Sequence, residues 1–437
     1  MKRANRILIG IGCIALLLVS WFIAVNSKSA VEKQKELLEQ AAGLMNDGIY
    51  VNAVPLLEDA ASYNTKYTTT VEEELKKVYL ELIDTRGYRR KYTNLLETQM
   101  KRDDAHPNVY IEAANYYLSI SKIPDALAVL RTGIGKTGNE DLADIYELNR
   151  YAYELNRTSY DYVAAIYGST IQVQREGLWG LASADGILLI PCEYEKISTF
   201  SVDRAIVKKN DEIYAVNIDN NRVARLHEEA IDFGNIANDR IPLLFETGWQ
   251  RATGEFLLGS SSFQQLGMYS GGYTAAKADG KWGVVDLAYN WLIPAEYDGI
   301  AQDELGRSYA RGAVFVRAGD EVYLIVEGQQ VGDAYEDAKP FSDEGYAAVK
   351  RNGKWGFIDT DGTVAIDFRF DDALSFGQHL AAVKVDEFWG YINLNGQIVI
   401  ETVFLEAKSF SDGSAPVLTD RGWQFISLLE YMKGPGL

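Results

Sequence analysis

Cysteine is nearly missing from this chain, with two among 437 residues, Cys13 in an apolar run and Cys192 far beyond it. No intrachain disulfide therefore holds the fold, and stability must come from packing. Histidine is as scarce: His106, His227 and His379 are scattered, and no pair has zinc-ligand spacing. No Gly-x-Ser-x-Gly nucleophile motif occurs. Positive charge is short as well, with 43 Lys and Arg against 62 Asp and Glu, for a formal charge of −19. Binding nucleic acid or anionic headgroups depends on Lys and Arg displacing counterions, so nucleic acid is a poor partner for such a surface. The imbalance is uneven: residues 1–30 carry +4, residues 31–157 about −5, and residues 158–437 about −18.

Several fragments imitate catalytic motifs and fail on context. Gly133-Ile134-Gly135-Lys136-Thr137 resembles a phosphate loop, but Leu130 stands where the first glycine belongs and a helical pattern precedes it. Ser119-Ile120-Ser121-Lys122 and Lys136-Thr137-Gly138 echo penicillin-recognising motifs without a Ser-Asp-Asn. Asp359 and Asp361 with Gly362 suggest a hairpin turn, because two carboxylates fall short of a calcium ligand set. No residue is singled out as catalytic, metal-binding or cofactor-binding, and the sequence predicts a protein that is not an enzyme and needs no cofactor.

What is present falls into three parts, taken as 1–27, 28–157 and 158–437. Lys2, Arg3 and Arg6 precede Ile7 to Val25, nineteen residues without a charge. At about 1.5 Å per residue this run nearly matches a hydrocarbon core of about 30 Å. It predicts a transmembrane helix, with the amino terminus cytoplasmic and the rest outside the cell membrane. A cleaved signal peptide, with Val25 and Ser27 at the −3 and −1 positions, is the alternative.

From 28 to 157 apolar residues recur at three- and four-residue spacing, as in Leu37, Leu38, Ala41 and Leu44. Gly48-Ile49-Tyr50 with Ala53 and Leu56-Leu57 returns as Gly87-Tyr88 with Tyr92 and Leu95-Leu96. It returns again as Lys122-Ile123 with Ala126 and Val129-Leu130, and a last helix is expected near Asp141 to Leu155. The offsets of 39 and 34 residues resemble a degenerate tetratricopeptide repeat, an α-solenoid of helical hairpins.

From 158 onward an aromatic returns at Trp179, Tyr214, Trp249, Trp282, Tyr323, Trp355, Trp389 and Trp423, at spacings of 35, 35, 33, 41, 32, 34 and 34. Alternation in Lys354-Trp355-Gly356-Phe357-Ile358-Asp359 indicates a strand. Arg351-Asn352-Gly353 supplies a turn before it, and Asp361-Gly362 one after it. The expected unit is a three-stranded meander. Units are joined by aromatic-acid elements such as Tyr194-Glu195 and Phe370-Asp371 that often end in Phe-Ser, as at Phe341-Ser342. The glycine beside the tryptophan is expected to admit an aromatic of the neighbouring unit, with the tryptophan as a packing residue.

These residues closely resemble the bacterial WG repeat family. The resemblance implies an all-β array in a membrane or exported protein, with no common activity. Seven to eight units then form either a propeller-like ring or an open superhelix, and their unequal lengths favour the open form. The function expected is a membrane-anchored, extracytoplasmic scaffold for other envelope proteins or peptides. A module binding cell-wall glycan or a small ligand is the alternative, with Tyr289 and Trp291 available to stack on a sugar ring.

Overall fold

A computed structural model describes residues 30–253, 256–257 and 262–431. The chain divides into two units between Tyr146 and Glu147.

The first unit is helical. Helix α1 covers 30–46, followed by α2 (Tyr50–Ala61), α3 (Thr68–Glu81), α4 (Tyr88–Met100), α5 (Pro107–Ser119), α6 (Ile123–Thr137) and α7 (Glu140–Asn149). The turn residues noted in the sequence set the starts: Gly48 and Gly87 lie at φ +73 and +97, and α2 and α4 begin within two residues of them. Ala53, Leu57, Tyr92, Leu96, Ala126 and Leu130 are all buried in one core, so each recurring face points inward. Successive helices from α2 to α6 pack on one another.

No helix among the described residues is long and apolar enough to cross a membrane. This corrects the expected transmembrane helix and the single-pass localisation. The run Ile7 to Val25 on which both rested lies outside the described residues.

The second unit corrects the β architecture in three ways. First, the repeat has four strands rather than three. In blade 7 these are Asp372–Ala373, Ala381–Val385, Phe388–Ile392 and Ile398–Phe404, paired antiparallel in that order. The aromatic-acid linker is thus followed by a two-residue strand of its own, too short to show a period.

Second, the units close. Eight four-stranded sheets occur among the described residues, and as blades 1 to 8 in chain order they begin at residues 162, 196, 232, 265, 299, 337, 372 and 406. In the eighth, Glu406–Ala407, Ser414–Thr419 and Gly422–Leu428 are completed by Tyr153–Leu155, which pairs antiparallel with the last strand in the register Tyr153↔Leu428. The amino-terminal strand therefore closes an eight-bladed β-propeller, and the open superhelix is excluded. Closure tolerates the unequal spacings because most of the excess lies in one connector. Twelve residues, 301–312, join the first two strands of blade 5, where blade 7 uses seven, 374–380.

Third, the glycine serves its own blade. Trp389 pairs with Phe404 and Tyr391 with Ile400, so the outer strand advances four residues while the inner one advances two. The resulting bulge folds over Gly390: a Cβ there would lie 2.5 Å from the carbonyl oxygen of Ile400. Gly356 meets the Ile366 carbonyl in the same way at 2.7 Å. A side chain cannot fit beneath this bulge, whereas Pro191 and Pro294 are tolerated in the outer strands of blades 1 and 4, where a ladder donor is dispensable. Trp355, Trp389 and Trp423 are buried. Trp355 packs with Ile366 and Phe370 of its own outer strand and with Ala373 and Phe376 of the next blade.

The turns divide by type. Asn352 and Gly353 both have positive φ, as a two-residue type I′ turn requires. After the tryptophan strand only Gly362 does, and Asp359 accepts the N–H groups of Asp361 and Thr363 at 3.0 and 2.9 Å, making a three-residue loop. The Asp359 carboxylate thus serves the turn that the sequence indicates.

Candidate functional site

The recurring acids fasten one blade to the next. Asp371 accepts Nζ of Lys354 from the tryptophan strand of blade 6 at 2.6 Å, and its other oxygen accepts the N–H of Asp386 in a turn of blade 7 at 2.8 Å. Asp298 repeats the clip between Lys281 at 2.5 Å and the Gly319 N–H at 2.9 Å. The Lys354 ammonium and the backbone donor hold the Asp371 carboxyl below the usual aspartate range, and the Gly319 N–H and Lys281 do the same for Asp298.

The Phe-Ser segments follow the short first strands and converge. A cavity of about 320 Å³ is lined by residues from these connectors in blades 4 to 8 together with 165–168 of blade 1. Only the propeller axis brings so many blades to one point, so the first strands are innermost. Hydroxyls link neighbouring blades here: Ser409 donates to the Ser375 carbonyl at 3.2 Å, and Ser375 to the Pro340 carbonyl at 2.9 Å.

The long connector of blade 5 crosses this axis. Glu304 is ion-paired with Nζ of Lys408 in blade 8 at 3.2 Å and accepts the Ser409 N–H at 3.3 Å. The Leu305 carbonyl accepts Nδ2 of Asn235 from blade 3 at 3.2 Å, and the Gly306 carbonyl accepts the Met268 N–H from blade 4 at 3.1 Å. Leu305 itself is buried against Ala165, Ala237, Leu266 and Met268. The insertion is a plug, anchored to blades 1, 3, 4 and 8. Burial works against the Lys408 charge, yet Glu304 and Glu406 beside it raise its pKa above the usual lysine value.

Against the plug, the cavity wall is polar and mainly acidic, with Asp303, Glu304, Asp343, Glu344 and Asp412. Arg307 is held by Asp303 at 2.6 Å. The Glu344 side chain is 8% exposed, and its Oε1 accepts the His379 N–H at 2.8 Å while Oε2 has no partner. Ser342, also buried, has an unpartnered hydroxyl.

The helical unit carries a separate groove with a charged floor. Lys76, 4% exposed, is paired with Glu73 at 2.9 Å and with Glu112, while Glu72 is bonded to Arg102 and to Gln99. Tyr92 donates to Glu112 at 3.0 Å, and the buried Tyr116 hydroxyl is unpartnered.

Tyr289 and Trp291 do not form a free stacking platform. The Tyr289 hydroxyl accepts the Arg251 N–H at 2.8 Å, and both rings meet Phe263 edge-on, at 5.2 and 5.9 Å. Among the described residues no group of three His, Cys, Asp or Glu side chains is arranged to hold a metal ion.

Residues 179–212, 334–355, 355–387 and 389–423 match the WG containing repeat. The β half carries WG repeats. Those matches lie wholly within the propeller, and three of the four begin on a tryptophan strand rather than at the start of a blade. None of the curated proteins compared matches the chain. Solved structures similar to it include PorZ, a surface component of the type-IX secretion system of Porphyromonas gingivalis, at 10% identity over 61% of this chain and 42% of that one, TM-score 0.36. A eukaryotic initiation factor matches at 11% identity over 58% and 79%, TM-score 0.38. The Pan2 WD40 domain of Neurospora crassa matches at 9% identity over 61% and 88%, TM-score 0.35. The chain spans less than half of the PorZ chain, and at these scores the likenesses carry no argument about function.

Proposed function

We propose that this WG-repeat protein is a non-catalytic interaction scaffold whose propeller receives a partner protein on the face around the axial cavity. One observation carries this reading. The residues that repeat from blade to blade, namely tryptophan, glycine and the aromatic of the outer strand, are consumed by packing. The connectors, which share the Phe-Ser motif but differ in length and in their other residues, gather around a cavity holding unpartnered polar groups. Such a division of labour suits recognition, since a rigid ring holds variable loops in fixed positions.

Site-specific photocrosslinking tests it. A photoreactive residue at Asp343, exposed beside the cavity, should give discrete protein adducts in the cells that produce the chain. One at Val403, 58% exposed on an outer strand, should not. Absence of adducts from every axial position would overturn the scaffold reading.

A further inference from the structure

The axial cavity is built for one sign of charge. Of its carboxylates, Asp303 is neutralised by Arg307 and Glu304 by Lys408. Asp343, Glu344 and Asp412 remain. At the rim Arg311 donates to the backbone carbonyl of Asp343 at 2.8 Å, and the His379 ring, 60% exposed, lies 3.9 Å from Glu344.

Two buried groups show that the wall is unfinished. The hydroxyl of Ser342, a residue 7% exposed, has neither donor nor acceptor, and Oε2 of the 8%-exposed Glu344 has no donor. A buried carboxylate oxygen without a donor is costly. Both side chains line the cavity. A cationic N–H group satisfies the carboxylate as charge and as acceptor and also gives the hydroxyl a donor. An anion would meet three carboxylates, and an apolar group would leave both atoms orphaned.

We propose that this cavity takes the ammonium or guanidinium head of a lysine or arginine side chain carried on a partner's extended loop. This rests on the scaffold reading and deepens it by naming the group that is recognised. A cavity of about 320 Å³ holds such a head with part of its stem, and not a folded element. Arg307 and Lys408 are already committed to the plug, so the entering side chain competes with neither.

The test uses the full chain and acetylated, amidated peptides Gly-Ser-Lys-Ser-Gly and Gly-Ser-Arg-Ser-Gly, with the citrulline peptide as the neutral isostere and agmatine as a free cation. Titration calorimetry at low ionic strength should show one-to-one binding of at least one basic peptide, at least tenfold tighter than citrulline. Glu344→Gln keeps an oxygen for the His379 N–H and should weaken binding at least tenfold with an unchanged melting temperature. Asp412→Asn should weaken it by a smaller factor, and remains informative if the first variant misfolds. Equal binding of the citrulline peptide, or no effect of either variant, would overturn cation recognition. Agmatine binding without peptide binding would overturn the partner side chain as its source. Peptide failure together with Asp343 crosslinks would sink this inference and leave the scaffold reading standing.

Discussion

Replacing Gly390 by alanine isolates what the second half of the Trp-Gly pair contributes. Gly390 does not have the positive φ that alone would demand glycine, so the added methyl costs nothing in backbone conformation. It meets only fixed atoms: the Ile400 carbonyl oxygen at 2.5 Å and the carbonyl carbon and oxygen of Glu401 at 2.8 Å. Ordinary contact begins roughly an ångström further out, and no side chain stands there to rotate away. If the outer strand yields locally, overpacking costs about 1–3 kcal/mol. If it lifts, Ile400 and Phe404, now 2% and 5% exposed, lose burial worth about 1.5–3 kcal/mol each. We therefore expect a loss of about 2–5 kcal/mol, read from urea unfolding followed by tryptophan fluorescence. Gly353→Ala is the comparison, with open space around it and φ +74, so that only strain of about 1–2 kcal/mol is added. A Gly390→Ala protein within 0.5 kcal/mol of the parent would refute the bulge argument.

Other outcomes follow from the same geometry. In α6, Gly133→Ala would press on Tyr110 and Leu142 at 2.8 and 2.9 Å and cost about 1–3 kcal/mol, whereas Gly135→Ala meets nothing and should stabilise by up to about 1 kcal/mol; thermal denaturation separates them. Glu304→Gln leaves the buried Lys408 with Glu406 alone, 3.5 Å away, and should cost about 1–3 kcal/mol, most of it recovered by adding Lys408→Met in a double-mutant cycle. The pKa values of Asp298 and Asp371 are depressed in the fold, so their stabilisation is present above the ordinary aspartate range and is lost as pH falls through it. Lys408, with a raised pKa, contributes at all pH values below the ordinary lysine range and loses that contribution only above it. Urea midpoints from pH 3 to 7 should thus fall on the acid side, and Lys354→Met with Lys281→Met should flatten that limb.

The sequence showed the repeat because burial of the tryptophan strand writes a period into it, and the helix starts because glycines with positive φ mark them. Two features had no local signature. Asp372–Ala373 is two residues long, and its strand state depends on pairing with Val383 and Lys384. Tyr153–Leu155 looked like the tail of a helix, since only the distant partners Ile426 to Leu428 make it a strand. The 41-residue spacing between Trp282 and Tyr323 is plain in the sequence, where it counts against closure. Most of it is the plug, an insertion at a connector that leaves the four-strand order of its blade intact. The acidic excess was plain in the composition, but the meeting of Asp343, Glu344 and Asp412 at one cavity is a product of the ring.

Closure itself is the central claim, and a designed crosslink tests it most directly. Glu154 and Ser427 lie opposite each other across the closing pair of strands, 273 residues apart in sequence. Their expected Cα separation of about 5.5 Å suits a disulfide. With Cys13 and Cys192 replaced by serine, Glu154→Cys combined with Ser427→Cys should oxidise almost completely. The product should migrate faster on non-reducing gels, and the propeller should gain up to about 5 kcal/mol of stability. An open array holds the two positions far apart: failure to form the bond in the folded protein, under conditions where the unfolded chain oxidises freely, would contradict the closed ring.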